Sequence, residues 1–209
     1  MEMRVPIRVP TLLCILLCSA ALTAQESAPI RYGSLSTIVV EDFDSQPAWG
    51  TEPLLSPRTI HIETRFLPGM PLDMIAIDGE DQADQPFVLG VKMSIEEVDY
   101  YRIHVRPEQP IELSGVVKTI SVWVHGQNIP HRLSIALLDP DREALGTLRL
   151  GGLNFLGWQC LTAALSGLPV NRGLFFNGFV IECGPMHVYR EPLYYYFDRI
   201  STVTDEWVP

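Results

Sequence analysis

The sequence predicts an all-β protein, a single antiparallel β-sandwich of jelly-roll (galactose-binding-like) type, for three reasons. From about Ser36 onward, apolar residues recur with period two, the spacing that places alternate side chains on opposite faces of a strand. About eight to ten short segments of this kind follow one another, with Gly and Pro in the gaps. No segment has the apolar spacing of a convincing amphipathic helix, so a sandwich or jelly roll is expected.

The predicted strands follow in order along the chain. The early ones are STIVVEDFD, TIHIETRF, FVLGVKMSI and YYRIHV, which begin at Ser36, Thr59, Phe87 and Tyr100. Between the first two, the segment Ala48–Arg58 contains two prolines, and we expect it to connect early strands. A second loop, from Asp78 to Pro86, carries four acidic residues.

The segments KTISVWVHG and RLSIALLD predict a hairpin in the middle of the chain. Ile120, Val122 and Val124 share one face of the first strand, while Trp123 lies on the other. The connector GQNIPH, residues 126–131, is rich in turn-forming residues.

Four more strands complete the chain: ALGTLRL, GWQCLTAAL, GLFFNGFVIE and YYYFDRISTV, from Ala144, Gly157, Gly173 and Tyr194. On the last of these, Tyr195 must face away from its two tyrosine neighbours.

The N-terminal 24 residues have the features of a secretory signal peptide. Arg4 and Arg8 precede an apolar run from Leu12 to Leu22, and small residues follow. We therefore predict a signal peptide at residues 1–24 and one β-sandwich domain at residues 25–209. No later apolar run approaches the roughly 18 to 20 residues of a membrane span, so no membrane anchor is expected.

The net charge of −10 disfavours nucleic acid and anionic membrane surfaces as partners. Cys160 and Cys183 remain after the signal peptide. In an oxidising compartment they can form one disulfide, and two buried thiols are an equally good interpretation.

The sequence contains no motif of an enzyme, such as a GxSxG elbow or an HExxH helix, and no enzymatic activity or organic cofactor is expected. Carboxylates are concentrated near the first and last strands, which often lie close together in jelly rolls. Because calcium prefers hard oxygen ligands, Glu41, Asp42, Asp44 and Asp198 are candidate ligands of a structural calcium ion. The alternative is a set of solvated surface acids.

Aromatic residues are the other candidates for function. Four tryptophans and the three consecutive tyrosines can form a platform for sugars, or can fill the core and an assembly interface. We favour core and interface, and we expect the contact surface to include outward aromatics such as Trp123 or Tyr195.

The order of several segments resembles the FlaA-type outer-layer (sheath) proteins of spirochaete flagellar filaments. The similarity is strongest from Phe87 to Trp207. It includes the strand before the Gly-x-Asn turn at Gly126, the aliphatic strand that ends in Asp139, and the Leu-x-Phe-x-Gly-Trp element at Leu153–Trp158.

The resemblance implies a structural protein of the periplasm that coats a flagellin core and affects the stiffness of the filament. Its partners would be flagellin core subunits and other sheath proteins, with self-association along the filament. The alternative function is a periplasmic carbohydrate-binding module. A row of solvent-facing aromatics on one sheet would favour sugar binding, whereas aromatics spread over opposite faces would favour assembly.

Overall fold

The computed structural model describes residues 35–55, 60–69, 86–97, 99–168, 172–184 and 191–205, and it confirms the all-β prediction. Within these ranges the chain forms twelve strands and no helix. The strands are β1 (Leu35–Glu41), β2 (Trp49–Leu55), β3 (Ile60–Pro68), β4 (Phe87–Ile95), β5 (Tyr101–Pro107), β6 (Ile111–Glu112), β7 (Val116–Gln127), β8 (Arg132–Leu138), β9 (Ala144–Gly152), β10 (Leu156–Ala164), β11 (Phe175–Cys183) and β12 (Leu193–Asp205).

The strands form two antiparallel sheets that pack face to face. Sheet A has the order β10-β7-β12-β4-β3, and β1 also pairs with β12. Sheet B has the order β2-β5-β11-β8-β9, and the short β6 also pairs with β11. Neighbours in each sheet are often distant in sequence, as expected for a jelly roll.

Along one edge, the two halves of the long strand β12 pair with different strands. Residues 193–197 pair with β4, and residues 200–205 pair with β1. A β-bulge between Asp198 and Ser201 separates the two halves, and Arg199 in the bulge has a positive φ of 38°. Such a bulge inserts an extra residue and bends the strand, so Asp198 lies where the two pairings meet.

Strand β2 corrects the prediction that Ala48–Arg58 is only a connector. Trp49–Leu55 pairs with β5 at the edge of sheet B. Pro53 is tolerated there because one side of an edge strand makes no ladder hydrogen bonds, so the missing N–H costs little. A rule that takes a proline-containing segment for a connector therefore misses edge strands such as β2.

The core between the sheets is centred on aromatic rings. Phe179 of sheet B stacks on Phe197 of sheet A, with ring centroids 4.4 Å apart. Trp49 stacks on Phe179 at 5.7 Å, and Phe176 meets Phe179 edge-on at 5.2 Å. Phe43, from the segment between β1 and β2, packs on Trp49 at 5.4 Å. These contacts join the two sheets. Through Trp49 and Phe179 they also connect Phe43 to Phe197 on β12.

Several predictions fall outside the described residues. They are the signal peptide at residues 1–24, the four acids of the loop at 78–84, and Trp207. In the part of the chain that is described, no helix has the length and apolar character required to span a membrane.

Candidate functional site

Three rings form a row across the outer face of sheet A. Trp158 on β10 is paired in register with His125 on β7, and His125 is paired with Tyr196 on β12. The His125 ring meets both neighbours edge-on, with centroids 5.4 Å from Trp158 and 5.6 Å from Tyr196. All three side chains are half-buried. We call these residues the aromatic row.

The aromatic row continues into a groove at the β4–β3 side of the sheet. Tyr196 is paired with Gly90, and Gly90 with Arg65. Because Gly90 has no side chain, a recess of about 280 Å³ opens between its neighbours. A Cβ atom at Gly90 would lie 3.2 Å from Leu67 Cδ1 and 3.4 Å from Tyr196 Cδ1, so glycine keeps the floor of the groove open.

Polar side chains surround this groove. Glu63, Arg65 and Lys92 line it together with Tyr194, which is 36% exposed. Lys92 Nζ lies 3.7 Å from Glu63 Oε2, an exposed ion pair that contributes little to stability. Arg65 is exposed, and none of the described residues forms a hydrogen bond or ion pair with its guanidinium. The groove thus offers both donors and acceptors beside flat rings.

The imidazole of His125 is held in its neutral form. Burial lowers the pKa of His125, because a partly desolvated ring is less easily charged. Its Nδ1 is buried without a hydrogen-bond partner in the described part of the chain. The aromatic row therefore presents an uncharged surface at neutral pH.

Trp123 lies on the same outer face, two residues before His125 on β7. It is half-buried and is paired with Cys160 on β10 and with Asp198 on β12. The outward placement of Trp123 agrees with the alternation seen in the sequence, and its role in an interface stays a prediction.

Tyr195 is not an outward residue, and that expectation is wrong. Its side chain is 0% exposed, whereas Tyr194 and Tyr196 lie on the outer face. The Tyr195 hydroxyl is hydrogen-bonded to His131 Nδ1 at 2.8 Å, which satisfies the polar end of a core side chain. Burial lowers the pKa of His131 to about 4, so this imidazole is neutral in the folded protein.

The possible disulfide between Cys160 and Cys183 is also corrected, because both thiols are free. Cys160 lies exposed on β10 of sheet A, whereas Cys183 is buried on β11 of sheet B. Cys183 Sγ lies 3.4 Å from His131 Nδ1, and burial raises the pKa of this thiol to about 12. Cys183 is thus an unreactive core residue.

The candidate calcium ligands lie near one another, and each accepts a hydrogen bond from the backbone. Glu41 Oε1 accepts from the Phe43 N–H at 2.7 Å, and Asp198 Oδ1 accepts from the Arg199 N–H at 2.7 Å. Asp42 accepts from the N–H of Asp44, and Asp44 accepts from the N–H of Phe87.

Asp198 is the most perturbed of these four acids. Its side chain is buried, and desolvation, with a smaller effect from Asp44 and Asp42, raises its pKa to about 7. Among the described residues, no group of three or more His, Cys, Asp or Glu side chains is arranged to hold a metal ion. The calcium site stays a prediction.

Solved structures show which class of fold this is. The family 11 carbohydrate-binding module of Clostridium thermocellum, in complex with a β-1,3-1,4-mixed-linked tetrasaccharide, matches with a TM-score of 0.51 at 11% identity, over 82% of this chain and 98% of that one. A structure of carbohydrate-binding modules from the β-sandwich superfamily gives a TM-score of 0.53 at 10% identity, over 78% of this chain and 60% of that one. At these identities the likeness concerns the fold alone, a jelly-roll β-sandwich.

Sequence comparison then gives the family. The family described as flagellar filament outer layer protein FlaA matches residues 73–208, and this chain belongs to it. A protein of Brachyspira hyodysenteriae named as flagellar filament outer layer-like is 26% identical over 185 residues, which cover 84% of this chain and 82% of the relative. The resemblance noted from the sequence is thereby confirmed.

Proposed function

We propose that this protein is a structural subunit of the outer layer of a periplasmic flagellar filament, where it coats the flagellin core. The observation that carries the proposal is membership of the FlaA family over residues 73–208. The Brachyspira hyodysenteriae relative, similar over most of both chains, supports the same role. The function is mechanical, and no enzymatic step is part of it.

Both outer faces of the sandwich carry ion pairs, such as Arg102 Nε to Glu182 Oε1 at 3.7 Å on sheet B and Lys92 Nζ to Glu63 Oε2 at 3.7 Å on sheet A. They differ in their aromatic side chains. The outer face of sheet A carries Trp123 and the aromatic row. Because aromatic residues are enriched at interfaces, we assign the contact with core subunits or other sheath proteins to the part of sheet A around Trp123.

A coat also needs contacts that repeat without closing into a ring. Two chemically different faces on one rigid sandwich permit such heterologous contacts, including self-association along the filament. Material far from the filament axis contributes most to bending resistance, so a coat of these subunits would stiffen the filament and affect its shape and the motility of the cell.

Co-sedimentation with filament cores tests the proposed contact. The purified protein is mixed with cores from which the outer layer has been stripped, and the pelleted fraction is measured against protein concentration. We expect saturable binding that Trp123→Ala weakens by at least about tenfold, which corresponds to roughly 1.4 kcal/mol.

A matched control separates a lost contact from a lost fold. Tyr100→Ala removes an aromatic side chain that is 39% exposed and lies outside the aromatic row, and it should bind like the wild type. If Trp123→Ala unfolds the isolated protein, Trp123 belongs to the core and the assignment of this contact is wrong. If the wild type does not pellet with cores, the proposed function is contradicted.

A further inference from the structure

We propose that the outer face of sheet A binds a linear saccharide chain, which lies across the strands from the groove at Gly90 to Trp158. This site goes beyond the coat function and does not depend on assembly into a filament. It consists of the aromatic row and of the groove lined by Glu63, Arg65 and Lys92.

The extent of the site indicates a chain of linked units. Trp158, His125, Tyr196, Gly90 and Arg65 lie on five adjacent strands of sheet A in one register. With neighbouring strands about 4.8 Å apart, this strip is about 19 Å long. A single small molecule would occupy only the recess at Gly90, whereas an extended oligomer can contact the whole strip.

The rings provide flat apolar surfaces that suit the C–H faces of pyranose units. Tyr and Trp combine an apolar ring with a polar group at one edge, so they can contact the face of a sugar and hydrogen-bond its hydroxyls. The edge contacts of His125 with both neighbours hold the three rings in place. Rings that already make such contacts with one another lose less side-chain entropy when a ligand arrives.

The polar lining of the groove favours hydroxyl groups over other ligand chemistries. Arg65 supplies several N–H donors, and the Glu63 carboxylate supplies acceptors. A sugar hydroxyl both donates and accepts, so it can use this mixture within one unit. An amphipathic peptide helix would require an apolar groove. Polyanions such as nucleic acid are disfavoured by the net charge of −10.

Gly90 determines where on the sheet the groove lies. Its position between Tyr196 and Arg65 would place any side chain directly in the path of the ligand. The neighbouring residue pairs, Tyr194 with Lys92 and Lys92 with Glu63, form one wall of the recess. The sheet thus combines a row of rings, an open floor and polar walls at a single register.

The test is a glycan array probed with the purified full-length protein, followed by titration of the tetrasaccharide that binds best. Intrinsic tryptophan fluorescence reports the titration, because Trp158 lies at one end of the strip. We expect saturable binding that falls at least about tenfold in both Tyr196→Ala and Arg65→Ala. Tyr100→Ala serves as the control and should leave the affinity unchanged.

Thermal unfolding of each variant accompanies the titration. Arg65 is exposed, so Arg65→Ala keeps the proposal testable even if Tyr196→Ala fails to fold. Binding to no glycan on the array overturns the proposal. Binding that persists unchanged in the well-folded variants also overturns it, because the ligand would then lie elsewhere.

The saccharide could come from a free polysaccharide or from a glycan attached to a filament subunit. Two further arms distinguish these sources: isolated wall glycan, and filament cores before and after chemical removal of glycans. Loss of core binding after glycan removal indicates an attached glycan, and binding to isolated wall glycan indicates a polysaccharide. Equal binding to both core preparations, with Tyr196→Ala still impaired, shows a protein contact at this face. That outcome supports the coat function and refutes the saccharide site.

Discussion

The replacement Asp198→Asn should stabilise the protein at alkaline pH, and the effect should disappear in acid. Desolvation raises the pKa of Asp198 from its ordinary value of 3.8 to about 7, so the folded state binds a proton more tightly than the unfolded state does. This contribution to stability is fully present below pH 3.8 and is lost as the pH rises toward 7. A difference of about three pKa units corresponds to about 4 kcal/mol.

Asparagine removes the ionisation but keeps the local geometry. Its amide oxygen can still accept the hydrogen bond from the Arg199 N–H, which the Asp198 carboxylate accepts at 2.7 Å. At pH 8 the wild type buries a charged carboxylate and the variant a neutral amide. We therefore expect the variant to be more stable by up to about 4 kcal/mol at pH 8 and about equally stable near pH 4.

His131 also makes the stability of the wild type depend on pH. Its pKa is lowered by burial from 6.5 to about 4. Its contribution to the stability of the fold is therefore fully present above pH 6.5 and is lost as the pH falls toward 4. This loss amounts to roughly 3 kcal/mol and opposes the gain from Asp198 in the wild type. Burial also lowers the pKa of His104 and His125, and both act in the same direction as His131. The stability of the wild type should therefore change less between pH 4 and 8 than that of Asp198→Asn, which should fall steadily in acid.

Urea unfolding followed by tryptophan fluorescence at pH 4 to 8, in the presence of a chelator, measures both profiles. A free-energy difference between variant and wild type that does not change with pH would refute the reasoning. Repeating the series with millimolar calcium tests the predicted metal site. A bound divalent cation would hold Asp198 ionised and reverse the advantage of asparagine, whereas an unchanged profile would exclude a calcium ion at Asp198.

Further substitutions test the packing. Phe179→Ala removes the ring that stacks between the sheets and should cost about 3 to 5 kcal/mol by urea unfolding; a cost below about 1 kcal/mol would contradict the packing described. Gly178→Ala should cost about 3 kcal/mol or more, because φ is +106° and the new Cβ would collide with the Val105 carbonyl oxygen. Gly50→Ala is its control, since nothing lies within 4 Å of the added Cβ, and it should change stability by less than about 1 kcal/mol. Tyr195→Phe removes the hydroxyl that lies 2.8 Å from His131 Nδ1 and should cost about 1 to 2 kcal/mol; a stabilised variant would show that this hydrogen bond is unimportant.

Period-two alternation predicts strands and their faces well where one face is clearly polar. In β7, Ile120, Val122 and Val124 are buried and Trp123 lies outside, as the sequence indicates. In β12 both faces carry large aromatic residues, so alternation separates Tyr195 from its neighbours without showing which side is the core. The hydrogen bond from Tyr195 to His131, a residue 64 positions earlier in the chain, depends on how the two sheets pack.

The candidate site depends on information that a single sequence does not contain. Trp158, His125 and Tyr196 belong to three segments that are each recognisable as strands. Their meeting in one row depends on strand order and register, which join residues far apart in the chain. Gly90 within FVLGVKMSI was a visible signal, because a glycine inside a strand often marks a close approach to a ligand or another backbone.

The assignment to the filament outer layer is tested most directly by fractionating periplasmic flagella purified from the source cells. The filaments are stripped stepwise with mild acid, and each fraction is analysed by mass spectrometry for peptides of this chain. A coat subunit should sediment with intact filaments and be released before the core flagellins. If the protein instead stays in the soluble periplasmic or cell-wall fraction while other sheath proteins sediment, the coat function is contradicted, and a periplasmic carbohydrate-binding module becomes the better explanation.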